Sequence, residues 1–292
     1  MNNALDNPEI RRLFDGYVHG QVSRRQFIDG VAALALAGVS ASALLDSLSP
    51  NYALAQQVSP DDESIVVTYQ EYDSPKGAGR MRGYLAMPAD LGEPGPGVVV
   101  IHENRGLNPY IEDVARRAAV AGYVAFAPDA LTPLGGYPGN DDEGRTMQAT
   151  RDRDEMLNDF IAAVRFLQQH ERCNGIVGCV GFCFGGWMAN ALAVNVDDLA
   201  AAVPFYGGQP DAADVPKINA PLMIHHAALD ERVNAGWPAY QAALDEAGKS
   251  YVEFTYDGCQ HGFHNDTTPR YDQAAARLAW QRTIEFFREN LV

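Results

Sequence analysis

The sequence predicts an α/β protein with a mostly parallel central sheet and helices on both faces. Short apolar runs such as Gly97–His102 alternate with longer amphipathic segments such as Pro109–Ala121. Strands of a parallel sheet are buried on both faces, and helices usually connect them. We expect one folded domain over residues 56–292, because no internal repeat or low-complexity segment interrupts that stretch.

The individual elements are predicted from their composition and end signals. Two segments rich in β-branched and aromatic residues, separated by turn residues, predict an antiparallel opening pair. Gly122 ends the helix that begins at Pro109. The Gly- and Pro-rich loop from Leu131 to Asp142 follows a strand and predicts a wall of a binding site. The predicted strands are Ser64–Tyr72, Arg82–Met87, Gly97–His102, Tyr123–Ala127, Gly175–Gly181, Ala200–Phe205, Pro221–His226 and Tyr251–Tyr256, and the predicted helices include Pro109–Ala121, Arg151–His170 and Tyr271–Asn290.

The charge balance excludes several classes of partner. The chain has 22 Lys and Arg residues against 38 Asp and Glu residues, a formal net charge of −16. An acidic chain without a basic run in its body is a poor ligand for nucleic acid or an anionic membrane surface. Four cysteines are too few for a disulfide scaffold in a chain of this length, and we expect no disulfide.

Residues 1–55 are predicted to consist of a long n-region followed by an export signal. The paired arginines Arg24 and Arg25 precede an uncharged run, Val31–Leu45, and the small-x-small site Ala53-Leu54-Ala55. This order resembles a twin-arginine signal cleaved after Ala55. The run is shorter than the roughly 20 apolar residues of a spanning helix, so no stable membrane anchor is expected. The resemblance predicts the twin-arginine export machinery as a partner and a periplasmic or secreted location. The alternative is an Ala-rich helix buried in the folded protein.

The strongest chemical signal is the sequence GFCFGG at residues 181–186, between a predicted strand and a helix expected from about Trp187. This spacing is typical of a nucleophile elbow, with cysteine where serine is commoner. A Cβ at Gly181 or Gly185 would collide with neighbouring backbone in so sharp a turn. Cys183 would lie at a helix N-terminus, where the dipole favours thiolate. The alternatives are a structural turn and a phosphate loop, but the lysine of a Walker loop is missing.

Two further residues complete a predicted catalytic triad. Asp230 follows the strand Pro221–His226, and His261 follows the strand Tyr251–Tyr256. Nucleophile, acid and histidine in this chain order, each after a strand, are typical of α/β-hydrolases.

The other histidines are weaker candidates. His19 and His170 lie outside any site-like context. A metal alternative combines His225, His226, Asp230 and His261. That set matches no zinc spacing and leaves the cysteine elbow unexplained, so we predict no metal and no cofactor.

The tetrahedral intermediate of acyl transfer needs two backbone N–H donors. We expect one from Phe184, directly after the nucleophile, and one from Asn104, after the strand Gly97–His102. Glu103 lies at the same strand end and could accept the thiol proton or hold Cys183 in a resting rotamer. The alternative for Glu103 is a surface carboxylate.

Together these residues resemble the dienelactone hydrolase family of α/β-hydrolases over essentially the whole of residues 56–292. The resemblance rests on GFCFGG (181–186), HENRG (102–106), PD (128–129), FYG (205–207), Asp230 and HGF (261–263). It implies a triad of Cys183, Asp230 and His261 without a cofactor. It also implies that the resting thiol is protonated and that substrate binding turns Glu103 so that the thiolate forms.

The substrate is less clearly indicated. Members of the family that open dienelactone hold its carboxylate with two arginines, one shortly after the histidine and one in the loop after the Pro-Asp strand. The first arginines in those stretches here are Arg270 and Arg145, both more distant. Arg105 is the remaining candidate for an anionic group, with an ion pair to Glu112 or Asp113 as its alternative. Aromatic surroundings and the negative chain favour a neutral aryl or short-acyl ester.

The sequence therefore predicts an exported cysteine hydrolase of small carboxylic esters or lactones that works through a thioester. Two alternatives remain open. One is a non-catalytic or ligand-binding member of the fold, since fold does not guarantee function. The other is a thioesterase or peptidase on the same scaffold.

Overall fold

The computed structural model describes Leu5 and residues 7–34, 40–54 and 56–292. Eight strands form one sheet in the order β1-β2-β4-β3-β5-β6-β7-β8. Strand β2 is antiparallel to both of its neighbours, β1 and β4, and the remaining pairs are parallel. The strands are β1 Ile65–Ser74, β2 Gly79–Pro88, β3 Gly95–Ile101, β4 Val124–Pro128, β5 Cys173–Phe182, β6 Ala201–Phe205, β7 Leu222–Ala227 and β8 Tyr251–Tyr256. This confirms the predicted mostly parallel sheet and its antiparallel opening pair.

Helices cover both faces of the sheet, as predicted. One apolar core includes Phe160, Leu167 and Leu192, and the other includes Ile111 and Phe287. The helices within the described ranges are α1 Pro8–Val18, α2 Arg24–Ala33, α3 Ala41–Leu48, α4 Pro109–Val120, α5 Asp141–Gln148, α6 Arg153–Gln168, α7 Phe184–Asn195, α8 Glu231–Asn234, α9 Trp237–Glu246 and α10 Gln273–Asn290. None of them has the length and hydropathy to span a membrane.

Most of the predicted boundaries lie within three residues of the observed ones, and two differences concern the surroundings of the site. Helix α7 begins at Phe184, directly after the elbow, and not near Trp187. The acidic end of the predicted loop starts α5, because the Asn140 side chain accepts a hydrogen bond from the Glu143 amide and three acidic residues occupy the first turn. Carboxylates are favourable at a helix N-terminus, so this acidic run is a start signal as much as a loop signal.

Residues 7–34 and 40–54, which precede the catalytic unit, contain α1, α2 and α3 around a small apolar core that includes Ile10, Phe14 and Phe27. Asn7 caps α1, and Ser23 forms a capping box with Gln26 at the start of α2. Ala55 and residues 35–39 of the predicted export signal lie outside the described residues.

The same N-terminal segment is hydrogen-bonded to the rest of the protein. The Tyr17 hydroxyl donates to Asp142 at 2.5 Å, and the Tyr52 hydroxyl donates to Asp141 at 2.6 Å. The carbonyl of Val18 accepts a hydrogen bond from the Asn104 side chain at 2.7 Å. These contacts place the end of α1 against the carboxyl edge of the sheet, where the predicted site residues lie.

Candidate active site

The elbow between β5 and α7 holds Cys183 in a backbone conformation that L-residues rarely adopt. Its φ is 58° and its ψ is −110°. A Cβ on Gly181 would strike the backbone of Gly185, and a Cβ on Gly185 would strike the Ile101 carbonyl of β3. Both predicted glycine requirements are therefore met. The strained turn lifts the Cys183 side chain above the edge of the sheet.

Asp230 and His261 converge on this cysteine. Asp230 follows β7 and accepts a hydrogen bond from the Val233 amide of α8 at 3.2 Å. His261 lies in the turn after β8, and its Nδ1 is 2.5 Å from Asp230 Oδ2. Its Nε2 faces Cys183, and the two side chains bring their sulfur and nitrogen atoms within 4.8 Å of each other. Both Asp230 and His261 are buried, at 4% exposure each.

Charge pairing outweighs desolvation throughout this group. Burial disfavours the charged forms of all three residues, but each charged form is stabilised by its neighbour. Burial opposes ionisation of Asp230, yet the His261 charge keeps the pKa of Asp230 low. Despite burial, Asp230 and Cys183 raise the pKa of His261 to about 10. Against the same desolvation, His261 and His19 hold the pKa of Cys183 well below its usual range. The arrangement therefore favours a thiolate–imidazolium pair.

The two predicted oxyanion donors and Glu103 have different surroundings. As the first residue of α7, Phe184 has an amide without an acceptor inside the helix, and Asn104 lines the same cleft. Glu103 is buried, and its Oε2 accepts a hydrogen bond from Asn265 Nδ2 at 2.8 Å. The surface-carboxylate alternative for Glu103 is therefore wrong. The oxyanion-hole roles and the gating role of Glu103 remain predictions.

A cleft of about 490 Å³ opens beside Cys183. Phe184, Trp187 and Tyr206 contribute its aromatic lining, and the exposed guanidinium groups of Arg153 and Arg232 lie at its edge. The sequence analysis missed both arginines, because they come from helices α6 and α8 and not from the stretches that the family resemblance pointed to.

Arg105 does not line this cleft. Its guanidinium is buried and forms an ion pair with Asp141 at 2.7 Å. The sequence-based expectation that Arg105 is the cation nearest the chemistry is therefore wrong, and the partner of Arg105 is neither Glu112 nor Asp113. Because α5 brings Asp141 over the strand end, the Asp141 carboxylate pairs with the Arg105 guanidinium. An anionic substrate would need that guanidinium free.

The structure adds a residue that the sequence analysis had set aside. His19, just after α1, has its Nε2 3.6 Å from Cys183 Sγ and 3.2 Å from His261 Nε2. Its Nδ1 lies 2.7 Å from the carbonyl oxygen of Asp15 and 3.3 Å from the Asp15 carboxylate. Burial lowers the pKa of His19, but Asp15 and Cys183 raise it above its usual value. The expectation that His19 lacks a site-like context is wrong.

Two Asp–His pairs thus face each other across one cysteine. The only sequence signal for the second pair is Asp15 four residues before His19, which places both on one face of a helix turn. The metal set considered from the sequence is not assembled. His225, for example, lies between the Tyr256 hydroxyl and the Thr283 hydroxyl at 2.9 and 3.2 Å. All four cysteines of the chain are free thiols.

The sheet topology, the strained elbow and the order of nucleophile, carboxylate and histidine define an α/β-hydrolase. The chain belongs to the dienelactone hydrolase family, whose model matches residues 81–291. It is a hydrolase that acts on esters or lactones. A second family model, described as YqhI-like, matches residues 7–36 and so covers the whole of α1 and α2.

Known relatives agree with this assignment. A protein of Escherichia coli described as putative hydrolase fragment YghX is 62% identical over 110 residues, which are 38% of this chain and 94% of that protein. A putative carboxymethylenebutenolidase of Synechocystis is 32% identical over 230 residues, covering 73% of this chain and 93% of the relative. The crystal structure of a putative dienelactone hydrolase from Klebsiella pneumoniae shares the fold, with a TM-score of 0.67 at 24% identity over 77% of this chain and 99% of that one.

Proposed function

We propose that the protein is a cysteine hydrolase of carboxylic esters or lactones in which Cys183 is the nucleophile. The observation that carries the proposal is the buried line from Asp230 through His261 to a cysteine on a strained elbow. In the thiolate–imidazolium pair the Cys183 proton already resides on His261, and the Cys183 thiolate attacks the ester carbonyl carbon. The N–H groups of Phe184 and Asn104 stabilise the oxyanion that forms.

The remaining steps return the enzyme to its starting state. The tetrahedral intermediate collapses, the carbon–oxygen bond to the leaving group breaks, and His261 protonates the departing alkoxide. A thioester on Cys183 remains. His261 then takes a proton from water, the hydroxide attacks the thioester, and the carboxylic acid leaves while the Cys183 sulfur regains its charge. Asp230 holds the His261 ring and stabilises the imidazolium.

The cleft supports a substrate with an aromatic or unsaturated part and an anionic group at its end. Phe184 and Trp187 provide an apolar wall, and Arg153 and Arg232 provide guanidinium groups that pair with carboxylates. This differs from the neutral ester expected from the sequence, because that expectation took Arg105 as the only cation near the chemistry.

A comparison of two cysteine variants tests the nucleophile. Cys183→Ala should lower kcat for p-nitrophenyl esters by about 10³-fold or more. The matched control is Cys173→Ala, since Cys173 lies at the far end of β5 and should leave turnover unchanged. Near-normal turnover by Cys183→Ala would refute the proposal.

We further propose that residues 1–55 direct export through the twin-arginine route to the periplasm or beyond. The support is the Arg24-Arg25 pair before an uncharged run, together with the exposure of both side chains, 51% for Arg24 and 92% for Arg25. Cleavage after Ala55 would remove Asp15 and His19 from the site and leave the Cys183 triad complete.

Cell fractionation tests this export. The wild-type chain should appear outside the cytoplasm with Gln56 as its first residue, and changing both Arg24 and Arg25 to Lys should retain the full-length chain inside. Equal location of both chains, with Met1 retained in each, would contradict export.

A further inference from the structure

The hydrogen bonds of His19 and His261 determine which ring nitrogen carries the proton. His19 Nδ1 lies 2.7 Å from the Asp15 carbonyl oxygen, and His261 Nδ1 lies 2.5 Å from the Asp230 carboxylate. Both oxygens can only accept, so both Nδ1 atoms donate. In the neutral rings, each Nε2 then carries an unshared lone pair.

These two lone pairs lie close to each other and to the Cys183 sulfur. The Nε2 atoms of His19 and His261 are 3.2 Å apart, and Cys183 Sγ is 3.6 Å from His19 Nε2. All three atoms lie within 4.8 Å of one another. Two lone pairs and a sulfur at these distances repel unless a cation or a proton lies between them.

The His19–His261 and His19–Cys183 distances are those of a tetrahedral zinc site. Zinc binds imidazole nitrogen at about 2.0–2.1 Å and thiolate at about 2.3 Å. At tetrahedral angles, these bond lengths separate two nitrogens by about 3.3–3.4 Å and a nitrogen from a sulfur by about 3.6 Å. We infer that Cys183, His261 and His19 together bind one Zn²⁺ ion, with a fourth position open to the cleft.

The surroundings match what zinc requires. Imidazole and thiolate ligands suit zinc and exclude magnesium and calcium, which prefer oxygen. Each ligating histidine has an oxygen acceptor on its other nitrogen, from Asp15 or from Asp230, and such partners orient ligands in metal sites. Zinc would bind the Cys183 thiolate and the neutral His261 ring, so the proton of the thiolate–imidazolium pair would be released to solvent.

One group competes with the ion. Arg232 Nη2 lies 2.9 Å from His19 Nε2 and so points at the lone pair that zinc would use. The Arg232 side chain is 38% exposed, and it can withdraw into solvent when the ion enters. Removing its charge should therefore strengthen metal binding.

The metal site would regulate the hydrolase, an inference that rests on the proposed function. A Cys183 sulfur bound to zinc would share its negative charge with the ion and so be a weaker nucleophile, and the ion would occupy the position between Cys183 and His261 through which the proton moves. The third ligand comes from the N-terminal segment, so the segment and the ion together hold the nucleophile inactive.

Cobalt titration of the full-length, chelator-treated protein tests the site without any substrate. We expect one equivalent of Co²⁺ to bind with the visible absorption of a tetrahedral site and a near-ultraviolet thiolate-to-cobalt charge-transfer band. Zn²⁺ should displace it with the same stoichiometry. His19→Ala should weaken binding by about 100-fold or more, and the control His170→Ala should bind as wild type does. Arg232→Gln should bind more tightly.

The outcomes separate this inference from the proposed function. A tetrahedral spectrum combined with an esterase that survives Cys183→Ala would support the site and refute the cysteine mechanism. An inactive Cys183→Ala variant combined with no stoichiometric Co²⁺ binding by wild type would support the cysteine mechanism and refute the metal site. Equal affinity and an equal spectrum in wild type and His19→Ala would overturn the site. Circular dichroism of His19→Ala checks its folding, and weaker binding by Arg232→Gln would also contradict the geometry.

Discussion

Cys183 and His19 are 164 positions apart in the chain, yet Cys183 Sγ and His19 Nε2 are separated by 3.6 Å. The contact places a residue of the N-terminal segment in front of the predicted nucleophile. His19 Nε2 is also 3.2 Å from His261 Nε2. An ester carbonyl that approaches the sulfur therefore has to fit beside the His19 ring or displace it. In this way the N-terminal segment limits access to the site.

His19→Ala should therefore increase esterase activity in the full-length protein. With chelator present throughout, we expect kcat/KM for aryl esters to rise by about fivefold, equivalent to about 1 kcal/mol of barrier. Steady-state kinetics on a series of acyl groups measures the effect, which should be larger for bulky acyl groups. An equal rise in kcat/KM for His170→Ala, or a fall in kcat/KM for His19→Ala, would show that His19 does not obstruct the substrate.

Much of the catalytic unit could be predicted from the sequence because the relevant signals are local. The residues after β5, β7 and β8 had to meet at one edge of a parallel sheet, and this brought Cys183, Asp230 and His261 together. His19 could not be predicted in the same way. Its position depends on how α1 docks, through contacts such as Tyr17 with Asp142, and no spacing in the chain encodes that docking.

For the same reason, the sequence could not show which arginine side chains remain available to a substrate. Arg153 belongs to α6 and Arg105 to the turn after β3, and only the packing of α5 decides which of them remains available. Asp141, the first residue of α5, neutralises Arg105. The family resemblance indicated the triad order, but it pointed to arginines close to the histidine and to the Pro-Asp strand, where this chain has only the more distant Arg270 and Arg145.

Substrate selection should follow the exposed arginines. Arg153→Ala and Arg232→Ala should each raise KM for carboxylate-bearing esters more than for neutral esters, by about tenfold, because a rim guanidinium pairs only with the anion. Arg105→Ala should instead lower stability, since it leaves the largely buried Asp141 carboxylate without its opposite charge. Kinetics with a matched pair of esters and urea unfolding measure the two effects. A selective KM change in Arg105→Ala alone would reverse the assignment.

The elbow should tolerate no side chain at position 185. Gly185→Ala places a methyl group against the Ile101 and His102 carbonyls, so the free energy of unfolding should fall by about 3 kcal/mol or more. Gly208→Ala is the matched control, because its nearest neighbours are Trp187 atoms at 3.6 and 3.9 Å, which is ordinary contact. Urea unfolding of both variants measures the difference. Equal stability of the two would show that the turn is not as tight as described.

The four cysteines should differ strongly in reactivity. His261 and His19 favour the Cys183 thiolate in spite of its burial. Burial raises the pKa of Cys179 to about 12 and that of Cys259 to about 11. Iodoacetamide at pH near 7, with chelator present, should therefore modify Cys183 first, because only thiolate reacts. Peptide mass mapping over time measures the order. Modification of Cys259 or Cys173 before Cys183 would contradict the thiolate assignment.

The thioester is the intermediate that distinguishes a cysteine hydrolase from a non-catalytic member of the fold and from a hydrolase with a different nucleophile. Rapid acid quench of the enzyme with a p-nitrophenyl ester, followed by peptide mass spectrometry, measures it directly. Asp230→Asn should accumulate more of the adduct than wild type, because poor orientation of His261 slows attack by water. We predict one acyl group on the peptide that contains Cys183, and none in Cys183→Ala. Ester hydrolysis without an acyl adduct, or an adduct on a different residue, would contradict the account.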